Sequence, residues 1–119
     1  MTTQEIANKL YELCAQNQYE QAQNELYAEG ATSTELNMGT GAIDVVTGME
    51  AIKEKGNKFR EMIVEMHGGY VNPPSVFGNN IFLEMGMDVT MKNMPRMEMK
   101  EMCHYAVKDG KIISERFYY

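Results

Sequence analysis

Ile81-Phe82-Leu83-Glu84-Met85-Gly86-Met87-Asp88-Val89-Thr90-Met91-Lys92 carries the most regular pattern in the chain. Ile81, Leu83, Met85, Met87, Val89 and Met91 alternate with Phe82, Glu84, Gly86, Asp88, Thr90 and Lys92. A period of two predicts one long strand with a single apolar face. Gly78-Asn79-Asn80 ahead of it is a turn, and Asn93 to Arg96 behind it reverses the chain. Met97 to Val107 then forms a second strand, Lys108-Asp109-Gly110 turns again, and Lys111 to Tyr119 forms a third. Upstream, Tyr70 to Phe77 reads as a strand that Pro73 and Pro74 confine to an edge or a bulge. The second half is a meander.

Before the meander the period is helical. Thr2 and Glu5 form a capping box, and Ile6, Leu10 and Leu13 carry the helix to about Gln16. Asn17 with Glu20 repeats the signal; Ala22, Leu26 and the ring of Tyr27 make a short stripe that Gly30 stops. Ala31 to Leu36 reads as a short strand and Asn37 to Gly48 as a loop. Thr47 and Glu50 cap a third helix through Met49, Ile52, Gly56, Phe59, Ile63 and Met66, closed by Gly68-Gly69. His67 falls at its C-terminus, where the helix dipole favours a cation. Helices first and strands afterwards indicate one α+β domain over residues 1–119.

Composition narrows the function. At 119 residues one core is expected, and no apolar run is long enough to span a membrane. Met1 to Glu5 lacks the regions of a signal peptide, so a cytoplasmic protein is expected. Two distant cysteines, Cys14 and Cys103, then read as free buried thiols. With His67 and His104 they make no metal-ligand spacing. Gly39, Gly41 and Gly48 lack the spacing and lysine of a phosphate loop, and no cofactor is implied. A net charge of −6 argues against nucleic acid and anionic membranes. Twelve methionines suit an adaptable interior or binding surface.

The last turn admits two registers. A two-residue turn at Asp109-Gly110 places His104 opposite Glu115; a three-residue turn with Gly110 as a bulge places Cys103 there. Only the bulged register sorts polar from apolar. It gathers Val107, Tyr105, Cys103 and Met99 with Ile113, Phe117 and Tyr119, and turns Glu98, Lys100, His104, Ser114 and Arg116 outward. Two carboxylates, Glu101 and Glu115, remain among apolar neighbours. Burial disfavours the charged form, so Glu115 is the leading candidate for proton exchange near neutrality.

Leu26-Tyr27-Ala28-Glu29-Gly30-Ala31-Thr32, the helix opened by Thr47-Gly48-Met49-Glu50-Ala51-Ile52, and Asp109-Gly110-Lys111-Ile112-Ile113 resemble the SnoaL-like branch of the nuclear transport factor 2-like superfamily. The resemblance implies a cone: a strongly bent antiparallel sheet wrapped around N-terminal helices, in a cystatin-like roll, with a pocket at one end and commonly a dimer. Polyketide cyclases and steroid isomerases are relatives, beside members with no known reaction. The cyclases' inward aspartate and the isomerases' acidic donor both fall on Cys103. The cyclases' inward histidine falls on Glu115, and the isomerases' general base on Glu35. Their oxyanion-binding tyrosine has no match, with Tyr11 merely nearby.

With the pocket that the resemblance supplies, Met62, Met85, Met87, Met99 and Phe59 are expected to line it. Phe117, Tyr119, Tyr105, Cys103 and Glu101 join them from the last strands, with Tyr11 and Tyr27 from the N-terminal half. The expected function is binding of a small apolar or aromatic molecule. One alternative is a proton-transfer enzyme (isomerase, cyclase or hydratase-like) using Glu115 or Glu35 as its catalytic group. Another is an interaction module with a filled interior. Phe82, Met102 and Tyr118 on the outer face suggest a homodimer.

Overall fold

The structure, a computed structural model, describes all 119 residues. Three helices and seven strands follow in the order α1 (Thr3–Ala15), α2 (Tyr19–Leu26), β1 (Tyr27–Leu36), β2 (Ile43–Thr47), α3 (Met49–Met62), β3 (Ile63–Val71), β4 (Ser75–Phe77), β5 (Asn80–Met91), β6 (Met97–Lys108) and β7 (Lys111–Tyr118). One open sheet runs β2-β1-β7-β6-β5-β3, with β4 also paired to β5. The helices cover one face, giving an α+β cone-like fold.

The sheet is mixed. β5, β6 and β7 form the expected antiparallel meander, but β1 lies parallel to β7. The two arrive from opposite ends of the sequence, so no hairpin joins them and parallel pairing costs nothing in loop geometry.

α1 begins as read. The Thr2 hydroxyl accepts from the Glu5 amide at 3.1 Å and Glu5 Oε1 accepts from the Thr2 amide at 2.8 Å. Ile6, Ala7, Leu10, Leu13 and Cys14 are its buried face. Asn17 does not cap α2. It takes the left-handed conformation (φ 59°) that ends α1, with the Gln18 amide bonded back to the Leu13 carbonyl at 2.9 Å.

β1 starts at Tyr27, four residues before the expected strand, and Gly30 lies inside it where its register with β7 shifts. The loop expected from Asn37 to Gly48 contains β2, an edge strand whose Thr47 pairs with Thr32. Held in that ladder, Thr47 cannot cap α3. Gly48 does so without a side-chain bond.

α3 stops at Met62, not at Gly68-Gly69, and Ile63 to Val71 forms β3. The apolar spacing through Ile63 and Met66 suits both periods. The β-branched pair Ile63-Val64 and pairing with β5 favour the strand. His67 is therefore a strand residue, its Nε2 2.8 Å from the Thr90 hydroxyl. Gly69 has a packing reason: a Cβ there would meet the Gly86 carbonyl oxygen at 2.9 Å.

The last hairpin follows neither expected register throughout, and the bulge expected at Gly110 is not there. Asp109 (φ 52°) and Gly110 (φ 74°) make a tight two-residue turn between Lys108 and Lys111. The bulge comes later, at Ile113, between the pairs Val107–Ile112 and Ala106–Ser114. Glu115 therefore opposes Tyr105 rather than Cys103, and Cys103 opposes Phe117. A single extra residue restores the face of everything beyond it. Before the bulge the parity is reversed, so Ile112 is fully buried and Ile113 is 39% exposed.

Candidate ligand site on the inner face

Register fixes what meets under the helices. One row across the sheet runs Ser33, Glu115, Tyr105, Ile81; the next runs Glu35, Phe117, Cys103, Leu83. Glu101 then lies opposite Met85, and Met99 opposite Met87. Tyr105, Cys103, Ile81, Leu83 and Met85 are buried in the core with Ile6, Leu10, Leu26, Tyr27 and Ile52 from the helices and β1.

Glu115 is the charged-type residue of this core, 5% exposed. The Tyr27 hydroxyl donates to its Oε2, and Ser33, 1% exposed, hydrogen-bonds it as well. Ser33 Oγ accepts from Lys55 Nζ at 2.6 Å. Lys55, reaching across from α3, also pairs with Glu35 Oε1 at 3.0 Å and sits 5.1 Å from the centre of the Phe117 ring. The Tyr119 hydroxyl closes the chain by donating to Glu35 Oε2. Six side chains from β1, α3 and the C-terminal strand thus form one continuous polar path into the core.

Burial pushes the Glu115 carboxyl above its usual range, and Glu35 adds to this; donation from Tyr27 and Ser33 and the charge of Lys55 oppose it without prevailing. Glu101 is pushed up to about 7, by burial first and then by the charges of Glu35 and Glu115, against the Cys103 thiol 3.8 Å away and Lys55. Two inner carboxyls therefore hold protons more tightly than free glutamate does. Burial also raises the phenols of Tyr27 and Tyr105, Glu115 adding to both. Cys14 is pushed up to about 12 and Cys103 higher still, chiefly by burial, so neither is a thiolate nucleophile at neutral pH.

Ser33 and Lys55 were not legible as site residues. A signal for each existed: Ala31, Ser33 and Glu35 alternate on one face of β1, and Lys55 stands three residues after buried Ile52. Phe59 and Met62 continue that side of α3 and stay exposed, while Met87 and Met99 are half-buried on the sheet. Tyr11 is half-buried on α1 and makes no hydrogen bond to the Glu115 path. His104 faces outward, stacked on Phe82 at 4.6 Å and 2.8 Å from Asn80 Oδ1. Depressions of about 450 and 260 Å³ lie elsewhere, one polar groove between Met1 and the Asp109-Gly110 turn, the other between Asn17 and Arg60.

A SnoaL-like domain model matches residues 1–119. The chain belongs to the SnoaL-like family. It is similar to a candidate SnoaL-like polyketide cyclase, also described as a carbohydrate phosphatase, from Mesorhizobium loti. The identity is 39%, each chain is covered in full, and the TM-score is 0.90. A Xanthomonas campestris protein of unknown function with a cystatin-like fold shares 12% identity over 99% of this chain and 90% of its own, at a TM-score of 0.78. A Catenulispora acidiphila protein with a ketosteroid isomerase-like fold, solved with trimethylamine, shares 20% over 99% and 87%, at 0.69. These two establish the fold alone. No curated protein matches the sequence.

Proposed function

We propose that the inner face holds a small, largely apolar or aromatic molecule, with Glu115 as the polar group that orients it. The observation that carries this is the polar path itself. A fold of this size gains nothing in stability from a carboxyl sunk in its core, because desolvation outweighs what Tyr27 and Ser33 return. Such a group has a use when a ligand completes its hydrogen bonding. Apolar side chains that stay partly exposed elsewhere on α3 and the sheet (Phe59, Met62, Met87, Met99) supply adaptable surface. N-phenyl-1-naphthylamine, a neutral apolar dye, tests this: saturable fluorescence enhancement at one equivalent supports the reading, and its absence in the folded protein opposes it.

A second reading is proton-transfer chemistry of the isomerase or cyclase kind. Glu101 favours it, since a second inner carboxyl with its proton affinity raised to about 7 supplies the acid/base partner that Cys103 cannot. Conversion of a β,γ-unsaturated ketone to the conjugated enone, lost in Glu115→Gln and Glu101→Gln, tests it. Glu35 serves here by holding Lys55. Phe82, Met102 and Tyr118 stand exposed together on the outer face and suit a homodimer contact in a cytoplasmic protein. Light scattering of Met102→Glu against the unaltered chain reads that directly.

A further inference from the structure

Lys55 is the cation that the Glu115 path contains, and its position is unusual for a lysine. Three constraints hold it: a 2.6 Å bond to Ser33, an ion pair with Glu35 at 3.0 Å, and the face of Phe117. An ammonium has three N–H donors. Ser33 takes one and Glu35 at most another, which leaves at least one N–H without a protein acceptor. The side chain is 28% exposed, so a molecule on the inner face can reach it. Phe59 and Met62 follow it at four and seven residues along α3, on the same side of that helix, and both are exposed. A fixed donor thus stands at the end of an apolar row.

Resting on the reading of the inner face as a ligand site, we propose that Lys55 is a binding residue selecting apolar or aromatic molecules that carry an anionic oxygen, a carboxylate, sulfonate or enolate. The oxygen accepts from the free Lys55 N–H while the apolar body lies along Phe117, Phe59 and Met62. The acidic neighbours do not forbid this. Glu35 is matched by Lys55 itself, and Glu115 and Glu101 are both shifted toward the neutral acid by burial. The ammonium is also held rather than free, so little side-chain entropy is lost on binding.

A matched pair of dyes separates this proposal from the reading beneath it. 8-Anilinonaphthalene-1-sulfonate is N-phenyl-1-naphthylamine with a sulfonate added. The sulfonate dye should bind about tenfold or more tighter than the neutral one at pH 6.5, the usual advantage of a charge-assisted bond. Lys55→Met should abolish that preference, read as the ratio of the two dyes' affinities for the same variant. Lys55→Arg should keep it, and Lys58→Met, which removes a lysine from an exposed position of the same helix, should not change it. Should Lys55→Met fail to fold, the 15N resonance of the Lys55 ammonium in the unaltered protein serves instead. It should move with the sulfonate dye and stay still with the neutral one. Equal affinity for both dyes, or a preference that survives Lys55→Met, overturns the proposal and leaves the apolar site standing. Failure of both dyes overturns both.

Discussion

Replacing Glu101 with Gln isolates the cost of a carboxylate on the inner face. The side chain lies opposite Met85, with only a thiol as its close polar neighbour, and its carboxyl is pushed up to about 7 from an unfolded value of 4.5. An acid whose affinity for its proton is higher in the folded state binds more protons there between the two values, so stability falls as pH rises through that window. At about 1.4 kcal/mol per pH unit, ionisation of Glu101 costs the folded state roughly 3 kcal/mol once the pH is above 7. Glu101→Gln keeps size and hydrogen-bonding capacity and removes the charge. Urea unfolding of both proteins should give nearly equal stability at pH 4.5 and an advantage to the variant that grows to roughly 2–3 kcal/mol at pH 8. Equal stabilities at pH 8, or a variant weaker there than at pH 4.5, would refute the argument that burial governs this carboxyl.

Glu115→Gln should fold, since Tyr27 can donate to the amide oxygen, and its advantage over the unaltered chain should also grow with pH above 4.5; calorimetry at pH 5 and 8 reads the trend. Gly69→Ala should cost about 1–3 kcal/mol in denaturant unfolding, because its Cβ meets the backbone of β5. Gly86→Ala should cost less, since what its Cβ meets is the ring of Tyr70, which can swing outward. Cys14 and Cys103 should resist a thiol reagent at pH 8 and both react after unfolding, as two buried thiols held far above their usual range require.

The meander was legible because β5 alternates without interruption over twelve residues and Asp109-Gly110 is a strong turn signal. The faces of β6 and β7 were legible too, since one bulge anywhere in the hairpin gives the same parity at Glu115; its place at Ile113 was not, because adjacent isoleucines pattern alike. The errors between residues 27 and 71 share a cause. Glycines at Gly30, Gly68 and Gly69 read as helix stops, yet each lies within a strand, the first two at register shifts and the third in close backbone contact. The parallel pairing of β1 with β7 brings residues more than eighty apart together, and no local pattern encodes it. That pairing is also what places Ser33 and Glu35 beside Glu115 and Phe117, so half of the polar path lay beyond local reading. Lys55 escaped for a different reason: a lysine on a helix is ordinarily solvated, and its buried partner emerges only once β1 is in place.

The methionines offer the most direct test of where a ligand sits. Twelve are spread over the strands, α3, the loops and the N-terminus, so 13C-methyl labelling reports on each region at once. Titration with N-phenyl-1-naphthylamine should shift the methyl signals of Met62, Met85, Met87 and Met99 with one common saturation curve, and leave Met38, Met94 and Met102 in place. Shifts confined to Met102 or to the loop residues Met38 and Met94, or no saturable shift at any methyl, would contradict a ligand site on the inner face.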